Sequence, residues 1–139
     1  MLLLVALFTT TTIVAYDFKS GDLYYNITSS SAPYAVEVTY QSTCDVYTLQ
    51  SVSIPEVVSY EGISYSVTGV GERAFNMSSS LESIIIPSSI TTIGNSAFYG
   101  CTSLISITIP NSVITIGNTT FNSCVKLKSI TQSQIGRAS

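Results

Sequence analysis

Cys101 and Cys124 stand 23 residues apart, Cys44 lies far upstream, and the 139-residue chain contains no histidine. A thiol without an imidazole cannot run Cys-His catalysis. A chain without histidine also cannot build a Ser-His-Asp triad or a zinc site that needs a ring nitrogen. Eight carboxylates, from Asp17 to Glu82, remain as acid–base candidates. Two of them would have to face each other across a cleft at about 5–10 Å, and the sequence groups no acids in that way. Gly69-x-Gly71-x-x-Ala74 follows the strand-like Tyr65-Ser66-Val67 and imitates a dinucleotide-binding turn. Its register argues otherwise, because Gly71 aligns with Gly94 and Gly117, where no second glycine precedes, and no complete βαβ unit follows. No catalytic residue, metal ligand or cofactor is expected.

Charge excludes a further class of partner. The formal net charge is -3, and only Lys19, Arg73, Lys126, Lys128 and Arg137 are basic. Nucleic-acid binding needs clustered Lys and Arg to neutralise phosphates, and the Lys126/Lys128 pair is read as a solvated end. With 45% hydrophobic and 9% charged residues, the chain can bury a core. The sequons at Asn26, Asn76 and Asn118 would accept glycans in a eukaryotic secretory route.

The elements that must position these residues are written as a repeat. Phe75, Phe98 and Phe121 are spaced by 23, and two full copies run over 81–103 and 104–126. Shared positions include Leu81/Leu104/Leu127, Ile84/Ile107/Ile130, Ile86/Ile109, Pro87/Pro110, Gly94/Gly117 and Cys101/Cys124. In each copy a short β-branched run makes a strand that ends at proline, which cannot donate to a ladder. A second brief strand ends at a glycine, where a positive φ is cheap. Asn-Ser-Ala-Phe-Tyr-Gly-Cys and its twin then predict one helical or 3₁₀ turn, capped by Asn95 or Asn118, with Phe and Cys on the inner side. No such coil closes a core alone; stacking does. Val52-Ser53-Ile54-Pro55 is the matching strand of an earlier coil, displaced by an insertion near 59–67 that reads as an added hairpin.

Alternation points Ile84 and Ile86 inward, and leaves Ser83, Ile85, Ser106, Thr108, Ser129 and Thr131 on an outer ladder. That ladder suits contact with proteins or glycans, or is a solvated sheet. Stacked coils place Cys101 and Cys124 on neighbouring layers, within disulfide reach; their shared inward direction favours two buried free thiols, with Cys44 as the odd one. The tyrosines Tyr24, Tyr25, Tyr34, Tyr40, Tyr47, Tyr60 and Tyr65 make either an aromatic binding face or the packing of a β-rich cap over the solenoid's open end. Residues 1–15 read as a signal peptide, too short to span a membrane and ending at Ala15, or else as a buried N-terminal strand. The remaining expectations are a β-rich N-terminal cap over 16–50, repeats over 51–130 and an irregular tail over 131–139. With no cap at the C-terminal end, Ile107, Ile109, Ile116 and Phe121 are expected to be exposed there, which leaves room for self-association.

The pattern L-x-x-I-x-I-P-x-S-[IV]-x-x-I-G-x-x-A-F-x-x-C resembles the BspA-type leucine-rich repeat of surface proteins in anaerobic bacteria and some parasitic protists. The leading Tyr16-Asp17-Phe18-Lys19-Ser20-Gly21-Asp22-Leu23 stretch and the Gly-Ile-Ser-Tyr-Ser-Val-Thr-Gly run from Gly62 are also similar to that family, so the resemblance spans roughly 16–130. Ser78 replaces the first repeat cysteine, Thr120 replaces the usual alanine, and residues 131–139 depart from the pattern. The resemblance implies an α/β repeat: a right-handed leucine-rich-repeat solenoid of short parallel strands and short helical turns. It further implies a non-enzymatic, secreted or cell-surface adhesion module for host matrix or other cell-surface proteins, with no membrane span after signal removal. The alternative is a surface-coat protein or truncated relative with no dedicated ligand.

Overall fold

A computed structural model describes residues 15–41 and 46–133. All of the expected signal peptide but Ala15, together with Cys44 and most of the expected tail, lies outside these residues. The described chain forms eleven strands, β1 to β11. β1 (Phe18–Ser20) and β2 (Leu23–Ser29) form a hairpin, and β2 pairs antiparallel with β3 (Ala35–Thr39). β5 (Val57–Tyr60) and β6 (Ile63–Val70) form a second hairpin. Its two-residue turn, Glu61-Gly62, has φ of 48° and 78°, the double left-handed geometry that matches strand twist. β6 then lies parallel to β3 on one side and to β8 (Thr92–Ile93) on the other, and β8 is parallel to β10 (Thr115–Ile116). One seven-stranded sheet therefore runs from the N-terminal hairpin into the repeats.

The other strand of each coil lies in two ribbons. β4 (Ser51–Ser53) pairs parallel with β7 (Ser83–Ile85), and β9 (Ser106–Ile109) with β11 (Ser129–Gln132). Their period-2 alternation buries Val52, Ile54, Ile84, Ile86, Ile107 and Ile109. Thr131 and Gln132 carry β11 beyond residue 130. Between the strand layers sits one core, filled by Phe75, Leu81, Ile90, Ile93, Phe98 and Leu104, each at most 1% exposed. The rings of Phe75, Phe98 and Phe121 stack nearly parallel, with centroids 5.4 and 5.7 Å apart.

The segments after each glycine are not helical: among the described residues there is no helix. Positive φ recurs at Arg73, Ser96 and Thr119 (56°, 54°, 55°) and again at Met77, Gly100 and Ser123 (59°, 71°, 62°). A left-handed residue every fourth position breaks any right-handed helix. It turns alternate amides toward the next coil. Arg73, Phe75 and Met77 N–H groups donate to the carbonyls of Asn95, Ala97 and Tyr99, at 3.0, 2.8 and 2.7 Å. Ser96, Phe98 and Gly100 repeat this onto Asn118, Thr120 and Asn122. Each strained residue costs about 1–2 kcal/mol, and each inter-coil bond returns about 1 kcal/mol; two strained residues against three bonds roughly balance, and the stacked core decides. Asn95 correspondingly does not cap its own turn. Its Oδ1 accepts from Asn118 N at 2.8 Å, one coil on.

The repeat glycines also differ from expectation. Gly94 and Gly117 do not have positive φ. They are needed for close approach: a Cβ on Gly94 would lie 2.5 Å from Glu72 N, and one on Gly117 2.4 Å from Asn95 N.

Candidate binding face

All six residues of the expected outer ladder are exposed, on β7, β9 and β11. Ser106 sits opposite Ser129 and Thr108 opposite Thr131, with the two threonine hydroxyls 3.3 Å apart. Ser83 and Ile85 lie opposite Ser51 and Ser53. Those two exposed serines extend both columns by a coil. In the sequence their strand, Val52 to Pro55, matches Ile84 to Pro87 across the insertion, and that offset is the signal for them. The ladder is not continuous, however. β7 and β9 do not pair, and the link beside them is a long bond from Ile105 N to Glu82 O at 3.5 Å. A groove of about 320 Å³ opens between the ribbons, lined by Ile85 and Ser88 on one wall and Thr108 and Pro110 on the other. Ile85 is 66% exposed and Ile105 48%.

This face offers hydroxyls, two isoleucines and no titratable side chain in the ladder itself. It has nothing to activate a nucleophile. No cluster of three or more metal-ligating side chains occurs among the described residues.

Cys101 and Cys124 are both buried and free. Each thiol donates to the carbonyl of the phenylalanine 26 residues earlier, Cys101 to Phe75 at 3.1 Å and Cys124 to Phe98 at 3.0 Å. Burial pushes the Cys101 thiol up to about 12 and raises Cys124 as well. Ser78, at the equivalent place, is fully buried and its hydroxyl has no partner. Thr120, in the alanine position, is satisfied because its hydroxyl donates to Gly117 O at 2.6 Å.

The tyrosines divide by alternation. Tyr25, Tyr47 and Tyr65 are core residues; burial raises Tyr25 to about 12. The Tyr47 hydroxyl donates to Thr39 O at 2.6 Å. Tyr24 lies on the outer side of β2, against Tyr16 at 4.6 Å and under the Lys19 ammonium at 5.2 Å. Beside it the outer face of the seven-stranded sheet holds a cleft of about 550 Å³, lined by Ala15, Asn26, Glu37, Thr39, Tyr40, Glu72 and Arg73. Of the sequons, Asn118 is exposed, while Asn26 and Asn76 are half-buried.

A family model described as "BspA type Leucine rich repeat region (6 copies)" matches residues 49–136. It indicates no catalytic family. No curated protein matches the chain. Among solved structures, a leucine-rich repeat protein from Bacteroides capillosus is similar at 22% identity with a TM-score of 0.59, covering 84% of this chain and 97% of that one. A leucine-rich repeat protein from Bacteroides ovatus gives 27% identity and a TM-score of 0.50, covering 84% of this chain and 41% of the other. The pneumococcal vaccine antigen PcpA gives 17% and 0.59, covering 87% and 39%. The described chain thus has the leucine-rich-repeat fold, matching nearly all of the first relative and less than half of the other two.

Proposed function

The chain belongs to the BspA-type leucine-rich-repeat family, and from that membership we propose that it is a secreted or cell-surface recognition module. In this reading residues 1–15 are removed on export, and the strands from Phe18 to Thr39 close the N-terminal end of the solenoid. The strand face then engages extracellular proteins or glycans through Ser83, Ile85, Ser106, Thr108, Ser129 and Thr131, joined by Ser51 and Ser53. The observation that carries this is the exposed hydroxyl ladder with its split. The ladder presents paired donors and acceptors at fixed spacing, and the groove beside Ile85 adds an apolar contact. Many weak contacts at fixed spacing add through effective concentration.

Binding of the secreted protein to immobilised matrix proteins and glycans tests the reading. A Ser106→Arg/Thr108→Arg variant, folded by circular dichroism, runs beside it. Saturable binding lost in the variant is the expected result; a folded protein that binds nothing on the panel moves the reading to a surface-coat protein without a dedicated ligand. One observation favours that second reading: Ile116, Ile130 and Val125 are 46%, 52% and 77% exposed at the end of the stack, an edge suited to lateral assembly.

A further inference from the structure

Two features meet at one peptide bond: the end of the expected leader and the cleft on the outer face of the sheet that holds Glu37. Ala15 lines that cleft together with Asn26, Glu37 and Glu72. The residues that follow are tied to β2. Asp17 N donates to Tyr25 O at 2.9 Å, the Asp17 carboxylate accepts from Ile27 N at 2.7 Å, and the Tyr16 ring lies 4.6 Å from that of Tyr24. The Tyr16 nitrogen, bonded to the Ala15 carbonyl carbon, is therefore held at the cleft by contacts on its C-terminal side. Asn26 sits directly opposite Glu37 in the ladder, on the same sheet face as Tyr24.

Among the described residues Glu37 forms no ion pair. Its neighbours on the packed elements are the Asn26 amide on β2, Gly69 without a side chain on β6, Thr92 on β8, Tyr40 beyond β3, and Glu72 and Arg73 after β6. Arg73 Nε lies 3.8 Å from Glu72, and among the described residues this is the ion pair formed. Burial holds the Glu37 carboxyl above the usual carboxylate range, and the hydrogen bond from Asn26 only partly opposes that. A half-buried acid without a positive partner is a costly arrangement to keep.

We propose that hydrolysis after Ala15 delivers the new α-ammonium group of Tyr16 into this cleft as the ion-pair partner of Glu37, so that removal of the leader completes the domain. In the hydrolysis, water adds hydroxyl to the Ala15 carbonyl carbon and the C–N bond breaks. The Tyr16 nitrogen keeps the electron pair and takes up protons to become an ammonium. Before the cut the same nitrogen is a neutral amide and cannot compensate the acid. The inference rests on the secretion reading above.

The test uses the full chain, expressed with its leader in a secreting host. N-terminal sequencing of the exported protein separates the two ideas, since a product that does not begin at Tyr16 overturns the processing site and with it the ion pair. For a product that begins at Tyr16, the rate of α-amine acetylation is followed against pH on the N-terminal peptide. The ordinary α-amino pKa is about 7.7–8.0. We expect a value raised by roughly one unit in the wild type and an ordinary value in Glu37→Gln, with Glu72→Gln leaving the wild-type shift in place. Should Glu37→Gln not be exported, the Glu37 carboxyl is titrated by NMR before and after chemical acetylation of the amine, and acetylation should raise it. An ordinary amine pKa in the wild type, a raised one that survives Glu37→Gln, or a Glu37 titration indifferent to acetylation overturns the proposal.

Discussion

A thiol buried beside a carbonyl, with no imidazole or cation near it, stays protonated, and this is the state of Cys101 and Cys124. Both are raised by burial, Cys101 from 9.0 to about 12. Because the folded values lie above the unfolded ones, the stability tied to the neutral thiols is fully present below about pH 9 and is lost as pH rises toward 12. Tyr25, raised from 10.0 to about 12 for the same reason, adds to that loss. Native protein should resist iodoacetamide at both cysteines at pH 8.5 while unfolded protein reacts. The denaturation midpoint should fall steeply above pH 9. Rapid native labelling of the Cys101 or Cys124 peptide would contradict the burial. At the glycines the mechanism is contact. Gly94→Ala places a methyl 2.5 Å from the Glu72 nitrogen, so backbone must move. The expected cost is about 3 kcal/mol or more in chemical denaturation, well above a helix-propensity effect. The repeat spacing marks Gly94 and Gly117 as required positions. It could not say why, because close approach and positive φ both ask for glycine.

Among the elements, strands were readable and turns were not, for a physical reason. A strand writes its buried face in alternate residues, and Ile84, Ile86, Ile107 and Ile109 write it plainly. The turns write theirs in backbone dihedrals. The left-handed positions are held by Arg73, Ser96 and Thr119 in one column and by Met77, Gly100 and Ser123 in the other, and only Gly100 belongs to the residue type that signals such a conformation. Asn-x-x-Phe-x-x-Cys spacing therefore resembles a helical turn, although its amides bond to the next coil. What the turns share visibly is the phenylalanine column, and it yields a prediction. Phe98 is fully buried between Phe75 and Phe121, whereas Phe121 is half-buried at the end of the stack. Phe98→Ala should cost about 4 kcal/mol, and Phe121→Ala clearly less. Equal losses by urea titration would mean that the last coil is as tightly held as the middle one.

At the scale of the whole molecule, the repeat count explains where apolar surface remains. Ile107 and Ile109 are not exposed as expected; they are 2% and 4% exposed, because β11 pairs with β9 and adds a layer over them. Among the described residues, the exposed apolar side chains of this end lie one layer further out, at Ile116 on β10 and Ile130 on β11, with the half-buried Phe121 beside them. Both strands end their sheets among the described residues, so this end combines apolar side chains with a ladder edge that no described strand pairs, the combination that invites another strand. A stacking unit is stable because its neighbour covers it, and a second copy of this chain offers the same 23-residue spacing of strands. Ile116→Lys/Ile130→Lys puts two like charges on the edge and leaves the inner core untouched. Sedimentation of the wild type should show concentration-dependent association that this variant loses, while its denaturation midpoint at high dilution stays close to the wild-type value. A wild type that remains monomeric across the concentration range would count against this edge as an association surface.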